Sequence, residues 1–128
     1  MSSRRPISVV IAEDDTPLRT LLRFVLNRNE ELLVVAEAAD GLEALEQVER
    51  HQPDLLLLDL SMPHMDGLEV LRRLQGRAGP TVVVLSALGE AEPGGGAERS
   101  SRELGAAAYV SKATAFDVLA DTLIRVVE

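Results

Sequence analysis

The segment at residues 54–59, DLLLLD, constrains the fold of this 128-residue chain more than any other. Four consecutive leucines offer solvent no polar side, so a strand formed here is buried on both faces, as in the centre of a parallel sheet. A parallel sheet in turn requires helices on both of its faces. The run ends on an acid, Asp59. The chain therefore predicts a central strand that delivers one carboxylate to the end of a sheet.

Segments of strand character alternate with segments of helical periodicity along the rest of the chain. Apolar and β-branched residues favour strands at 7–12, 32–38, 54–59, 81–87 and 106–112. After each of these segments except the fourth, apolar residues recur every three or four positions, which predicts a helix. Alternation of this kind is typical of βαβ units with right-handed crossovers. We therefore predict a single α/β domain built on a five-stranded parallel sheet.

Residues that favour helix starts precede the predicted helices. The side-chain oxygens of Thr, Ser, Asp and Asn can accept a hydrogen bond from the free amides of a first helical turn. Thr16 is predicted to cap the first helix in this way, with Pro17 at the first helical position. Asp40, Asp66 and Thr114 are predicted to cap the second, third and fifth helices.

The fourth connection, residues 89–105, departs from this pattern because it carries the run Pro93-Gly94-Gly95-Gly96. Proline and glycine are the poorest residues for a helix interior. We predict a mobile loop, followed by no more than about two helical turns from Ala97 to Leu104. The fourth helix is therefore expected to be disrupted at a Gly-rich start.

Composition excludes several kinds of partner. The net charge of −8 repels a phosphate backbone, and aromatic residues, at 2%, are too few for a base-stacking surface. We therefore expect no direct binding of nucleic acid. The chain has no cysteine, which excludes disulfides and thiolate metal sites, and its longest apolar runs are too short to span a bilayer. These observations favour a cytoplasmic protein without membrane contact.

Polar side chains are predicted to converge at the carboxyl ends of the strands, where ligands of open parallel sheets bind. They are Glu13, Asp14 and Asp15 after the first strand, Asp59 at the third, Ser86 at the fourth and Lys112 at the fifth. Singly, each could be a helix cap, a turn residue or a surface lysine. Together, carboxylates gathered at one rim repel one another unless a cation is present. Oxygen ligands without His or Cys favour Mg²⁺ over zinc.

These motifs combine into a recognisable pattern. The acids in IAEDDTPLR, the motif DLSMPHMDG, the serine Ser86 and the sequence YVSK together resemble the receiver domain of bacterial two-component response regulators. The segment at 34–71 is most similar to the NarL/FixJ branch of that family. The resemblance covers essentially the whole chain and implies a flavodoxin-like (βα)5 fold with strand order 2-1-3-4-5. It also implies that residues 1–128 are one receiver domain, with no effector domain in this chain.

The resemblance implies a role for each acidic residue of the rim. Asp59 would be the phosphoacceptor, which takes a phosphoryl group from a histidine kinase to give an aspartyl phosphate. Asp14, Asp59 and the backbone carbonyl of Ser61 would hold Mg²⁺. Glu13 would act on the metal through water.

The same resemblance assigns the remaining rim residues. Lys112 would neutralise one phosphoryl oxygen, and the Ser86 hydroxyl would donate a hydrogen bond to another. Ser86 and Tyr109 would form the switch, in which the hydroxyl moves inward and the aromatic ring follows. Pro63 and Gly67 would shape the loop after Asp59. His64, in the same loop, is expected to be exposed.

The implied partners are a sensor histidine kinase and either a downstream protein or a missing effector domain. A phosphorylation-dependent homodimer is a further partner that the family allows, and likeness to NarL implies regulation of transcription. The chain would not be an enzyme in the usual sense, because it would catalyse only its own phosphorylation and dephosphorylation.

Three other functions remain open at this point. A Mg²⁺-dependent phosphatase with an aspartyl nucleophile also places Asp at a strand end, but its motif has a second Asp where this chain has Ser61. A flavin or dinucleotide module needs a Gly-rich or Ser/Thr-rich phosphate loop where this chain has EDDTP. A receiver-like interaction module that is not controlled by phosphorylation would not need the acceptor-site residues, all of which are present.

Overall fold

The computed structural model describes residues 5–87 and 96–128, which form five strands and five helices in strict alternation. The elements are β1 (Ile7–Ala12), α1 (Thr16–Asn27), β2 (Leu32–Ala38), α2 (Gly41–His51), β3 (Leu55–Asp59), α3 (Gly67–Leu74), β4 (Thr81–Ser86), α4 (Gly96–Glu103), β5 (Ala108–Ser111) and α5 (Phe116–Val127). The strands are all parallel and lie in the order β2-β1-β3-β4-β5. The predicted sheet and its strand order are confirmed.

Strand β3 lies at the centre of the sheet, between β1 and β4, and each of its residues is buried. Its leucines point alternately to the two sides, because successive residues of a strand face opposite ways. Leu55 and Leu57 pack on one side, and Leu56 and Leu58 pack on the other. The leucine run is therefore the common centre of two separate cores.

We name these two cores by the helices that cover them. The buried residues of the α1–α5 face are Val9, Ile11, Leu22, Leu26, Leu32, Leu55, Leu57, Val83, Leu85, Leu119, Ala120, Leu123 and Ile124. Those of the α2–α4 face are Val10, Ala12, Ala38, Ala44, Val48, Leu56, Leu58, Leu60, Met62, Met65, Val70, Leu71, Val82, Val84 and Ala106.

Two of the four predicted helix caps are confirmed, and they are Asp40 at α2 and Asp66 at α3. The prediction for Thr16 is wrong, because α1 begins at that residue and the carboxylate of Asp15 accepts the hydrogen bond from Leu18 N instead. The prediction for Thr114 is also wrong. The cap position of α5 is Ala115, which has no side-chain oxygen, while the Thr114 amide donates to the Ser111 carbonyl in a turn.

Three strand boundaries differ by one or two residues from the prediction. Strand β3 starts at Leu55, the first residue paired with β1, because the amide of Asp54 donates to the hydroxyl of Ser8 and not to a strand carbonyl. Strand β4 ends at Ser86. Strand β5 is shorter than 106–112, since the amide of Ala106 donates to Ser101 O at the end of α4.

Helix α4 runs over Gly96–Glu103, which agrees with the prediction of about two turns from Ala97 to Leu104. The expected loop and most of its Pro-Gly run lie outside the described residues. In the part of the chain that the structure describes, no helix is long and apolar enough to cross a membrane.

Candidate functional site

Asp59 ends the central strand, and its side chain is only 1% exposed. The loop after it turns back at once, since the amide of Ser61 donates to Asp59 Oδ1 at 3.1 Å and the amide of Gly67 donates to Leu60 O at 2.9 Å. The second carboxylate oxygen, Oδ2, lies 3.4 Å from the ammonium of Lys112. The buried strand and this tight loop hold the carboxylate in one place at the rim of the sheet.

Glu13 follows β1 directly and brings a second buried carboxylate to the same place. Its side chain is 1% exposed, its Oε2 accepts a hydrogen bond from Asp15 N at 3.0 Å, and its Oε1 lies 2.9 Å from Lys112 Nζ. Asp14 is the next residue and is exposed. One carboxylate oxygen from each of Glu13, Asp14 and Asp59 lies within 4.8 Å of the others.

The donor set of this cluster suits Mg²⁺. Three carboxylates meet without His or Cys, and hard oxygen ligands are those that Mg²⁺ prefers. Within the described residues, neither Glu13 Oε1 nor Asp59 Oδ2 receives a well-directed hydrogen bond, although both face Lys112. Because one ammonium cannot balance three carboxylates, the cluster retains negative charge that a divalent cation would neutralise. The residues present therefore fit the predicted metal.

The site perturbs the protonation of its own groups. Burial raises the pKa of Asp59 to about 7, and the negative charge of Glu13 acts in the same direction. Burial disfavours the charge on Lys112, yet its pairing with Glu13 and Asp59 raises the pKa of its ammonium above the ordinary value. Lys112 therefore remains a cation at neutral pH, while Asp59 is poised between its two protonation states.

Ser86 and Tyr109 occupy the strands beyond Asp59. Ser86 is the last residue of β4, one position past Leu85, which is the partner of Asp59 in the sheet. It is fully buried, and its hydroxyl has no hydrogen-bond partner among the residues described. Tyr109 lies in β5 and packs, partly buried, against the α2–α4 face. Ser86 thus lies at the rim, whereas Tyr109 lies further into the sheet, opposite Val84.

Two contacts around the site were not anticipated from the sequence. The guanidinium of Arg19 donates to the backbone carbonyl of Glu13 at 2.7 Å. His64 is 68% exposed, as expected, but its Nδ1 lies 2.9 Å from the carboxylate of Asp40 at the start of α2. The sequence indicates the Arg19 contact only weakly, by placing a charged residue beside the apolar stripe of α1. Nothing in the sequence indicates the pairing of His64 with Asp40, because the two residues are 24 positions apart.

Two glycines let the backbone close around this loop. A Cβ atom at Gly41 would overlap the carbonyl oxygen of Met65, and one at Gly67 would overlap the carbonyl oxygen of Asp59. Helix α2 and the loop 60–66 therefore pack backbone against backbone. The predicted loop-shaping role of Gly67 agrees with this contact.

Comparison with known proteins places this geometry in a family. The family model described as the response regulator receiver domain matches residues 9–124. Among curated proteins, the protein-glutamate methylesterase/protein-glutamine glutaminase of Pyrococcus horikoshii is 37% identical over 108 residues, which is 84% of this chain and 29% of that protein. A methylesterase of the same description from Myxococcus xanthus is 51% identical over 86 residues, 66% of this chain and 25% of its own length. The chain therefore spans less than a third of the length of these relatives.

Solved structures agree with the sequence relatives. The signal receiver domain of the response regulator NarL from Mycobacterium tuberculosis has a TM-score of 0.88 and 28% identity, with 97% of this chain and 98% of that chain covered. The response regulator domain of Thermotoga maritima CheB has a TM-score of 0.83 and 27% identity, covering 96% of this chain and 94% of that chain. A LuxR-family DNA-binding regulator from Staphylococcus aureus has a TM-score of 0.86 at 27% identity, covering 95% of this chain and 99% of that chain. The chain belongs to the response regulator receiver domain family of two-component systems.

Proposed function

We propose that this receiver domain accepts a phosphoryl group on Asp59 from a sensor histidine kinase in a Mg²⁺-dependent reaction. The observation that carries the proposal is the position of the Asp59 carboxylate. It is buried at the end of a rigid central strand, 3.4 Å from a lysine and within the cluster formed with Glu13 and Asp14. A carboxylate fixed in this way is a nucleophile whose orientation is settled before reaction.

The transfer exchanges one bond to phosphorus for another. A carboxylate oxygen of Asp59 forms the new P–O bond while the P–N bond to the kinase histidine breaks, and the electron pair of that bond returns to the imidazole. Lys112 lies beside the attacking carboxylate and neutralises one oxygen of the transferred group. Bound Mg²⁺ would supply further positive charge to the phosphoryl oxygens.

The acidic residues divide the work of holding the metal. Asp14, Asp59 and the backbone carbonyl of Ser61 are the proposed direct ligands, and Glu13 is the proposed partner through water. The placement of Glu13 supports this division, since its carboxylate is already paired with Lys112 and with the amide of Asp15. Asp14 is the exposed member of the cluster and meets the ion from the solvent side.

We propose Ser86 and Tyr109 as the switch. The Ser86 hydroxyl is buried without a hydrogen-bond partner on the strand next to Asp59, so a phosphoryl oxygen on Asp59 would be a new acceptor for it. Ser86 and Tyr109 lie on neighbouring strands, with Ser86 opposite Ser111 and Tyr109 opposite Val84, so movement of Ser86 would alter the packing around Tyr109. The two packings differ only by these contacts, which is what lets phosphorylation shift their populations.

The output passes through a partner or an effector domain. The curated relatives carry a domain of this kind in methylesterases, and the structural neighbours include a DNA-binding regulator, so the family uses it with more than one output. We propose a cytoplasmic domain that signals to an attached effector or a downstream protein, and that can form a homodimer on phosphorylation. Regulation of transcription is the output that likeness to NarL favours.

Intact-mass spectrometry after incubation with Mg²⁺ and acetyl phosphate tests the proposal. We expect one added phosphoryl group in the wild type and none in Asp59→Asn. Asp121→Asn is the control, since Asp121 is an exposed acid on α5, away from the rim, and its variant should be labelled like the wild type. Equal labelling of Asp59→Asn would overturn the assignment. Steady turnover of a simple phosphomonoester would indicate a phosphatase instead.

A further inference from the structure

Arg19 is a mostly buried arginine whose side chain connects α1, β2 and the acidic loop. Its side chain is 16% exposed. Nη1 donates to the backbone carbonyl of Glu13 at 2.7 Å, and Nε donates to Glu37 Oε1 at 3.2 Å. Glu37 lies near the end of β2, at the edge of the sheet. The guanidinium therefore joins an edge strand to the loop that carries two of the three clustered acids.

The carbonyl that Arg19 holds belongs to the peptide unit between Glu13 and Asp14. That unit is planar and rigid, so its orientation sets the directions in which the two side chains leave the backbone. On the other side of Glu13, its amide donates to Ala38 O at 3.0 Å as an extension of the sheet. Glu13 is thus fixed by β2 through its amide and by Arg19 through its carbonyl. Loss of the second bond would free the peptide that carries Asp14.

The guanidinium is itself oriented by Glu37. Two arginines share this carboxylate, with Arg19 Nε on Oε1 at 3.2 Å and Arg23 Nε on Oε2 at 3.1 Å. A guanidinium presents its donors in a fixed plane, so the bond from Nε to Glu37 and the long one from Nη2 to Thr16 Oγ1, at 3.5 Å, leave Nη1 directed at the Glu13 carbonyl. Arg23 is half exposed and follows Arg19 by one helical turn. It provides a matched control, because it shares Glu37 with Arg19.

We propose that Arg19 is a positioning residue for the metal site, holding the Glu13–Asp14 peptide so that the Asp14 carboxylate faces Glu13 and Asp59. This inference rests on the proposed function, because it takes the acidic cluster to be the Mg²⁺ site. Arg19 contacts neither the metal nor the phosphoryl group in this scheme. It acts through a backbone hydrogen bond, by analogy with the hydrogen bonds that orient the side chains of metal ligands.

Titration of isotope-labelled protein with Mg²⁺, followed by NMR chemical shifts, measures the effect on metal affinity. We expect Arg19→Gln to raise the Kd for Mg²⁺ about tenfold, the lower end of the range for residues that orient metal ligands. Arg23→Gln removes the neighbouring ion pair to Glu37 and should leave the Kd within about twofold of the wild type. Arg19→Lys keeps the positive charge but loses the planar set of guanidinium donors, and it should bind Mg²⁺ with intermediate affinity.

The outcomes separate a positioning role from a merely structural one. If Arg19→Gln lowers the melting temperature but binds Mg²⁺ like the wild type, the proposal is overturned. If Arg19→Gln does not fold, Glu37→Gln takes its place, with a rise in Kd expected there and an unchanged Kd contradicting the proposal. Asp14→Asn tests the site itself. Undiminished Mg²⁺ binding by Asp14→Asn would overturn the proposed metal site, and this proposal with it.

Discussion

The two faces of the sheet are built from different parts of the chain. Every buried residue of the α1–α5 face belongs to a helix or a strand, and most are Leu, Ile or Val. The α2–α4 face includes loop residues as well, among them Leu60, Met62 and Met65 from the loop that follows Asp59. The loop that follows Asp59 therefore contributes its own side chains to the α2–α4 face. The buried residues of the α1–α5 face come from helices and strands alone.

This difference indicates which face can respond to chemistry at Asp59. Within the described part of α4, Ser101 is the buried residue, so little apolar area holds this helix to the sheet. The methionines of the loop are flexible side chains that tolerate changes in packing. The α1–α5 face offers neither feature. We expect it to act as a platform and the α2–α4 face to rearrange.

The largest expected effect compares one leucine from each face. Leu123 of α5 is fully buried, and Leu123→Ala should lower the free energy of unfolding by about 3 kcal/mol, because it leaves a cavity that the surrounding core fills only in part. Leu104, after α4, is only partly buried against the α2–α4 face, and Leu104→Ala should lower it by about 1 kcal/mol. Urea unfolding measures both. Equal losses would contradict the weak attachment of α4 to its face.

A smaller effect concerns the charge buried at the end of β3. In the unfolded chain Asp59 releases its proton near its ordinary pKa of about 4, whereas its pKa in the fold is about 7. The folded state therefore holds an extra proton in this window, and the free energy of unfolding falls as pH rises from about 4 to about 7. Asp59→Asn removes this dependence and should be more stable than the wild type at pH 8 in EDTA, by on the order of 2 kcal/mol.

Urea titrations across this pH range test that expectation. At pH 4, where Asp59 is largely protonated in the fold, wild type and Asp59→Asn should differ far less than at pH 8. Mg²⁺ at pH 8 should reduce the difference, because the ion stabilises the charged carboxylate. Asp121→Asn is the exposed control and should follow the wild type throughout. Parallel profiles for wild type and Asp59→Asn would show that Asp59 does not titrate near 7.

The smallest expected effect is a change in amide hydrogen exchange when the domain is activated. Hydrogen exchange with and without beryllofluoride and Mg²⁺ should show slower exchange in residues 104–112, by about threefold or more. Peptides from α1 and α5 should change less, since they contribute to the platform. Asp59→Asn should show no response to beryllofluoride. Equal slowing of exchange on both faces would contradict the expectation that only the α2–α4 face rearranges.

Much of the fold was predictable because it rests on local patterns. The leucine run defines β3, and the acids Asp40 and Asp66 define the starts of α2 and α3. The strand order came from the family resemblance, since periodicity alone does not order strands. The predicted cap of α1 was wrong because Asp15, the neighbour of Thr16, takes the cap position. That of α5 was wrong because the helix begins one residue later than predicted, which leaves Ala115 at the cap position.

The residues of the candidate site were predictable from the sequence, but the contacts that surround them were not. Parallel strands deliver their last residues to one edge, so the convergence of Glu13, Asp59 and Lys112 follows from strand order. The hydrogen bond from Arg19 to the Glu13 carbonyl depends on the rotation of α1, and the pairing of His64 with Asp40 depends on how a loop meets a distant helix. Neither contact can be predicted from the spacing of residues in the sequence.

The backbone contact between α2 and the loop after Asp59 bears on how this domain can be altered by design. Gly41 and Met65 are far apart in sequence, yet a side chain at position 41 would occupy the place of the Met65 carbonyl. The loop 60–66 therefore cannot be transferred on its own to another protein. Grafted onto another scaffold, it would need a glycine at the facing helix start, whereas Gly79 and Gly96 have room for a side chain and are open to substitution.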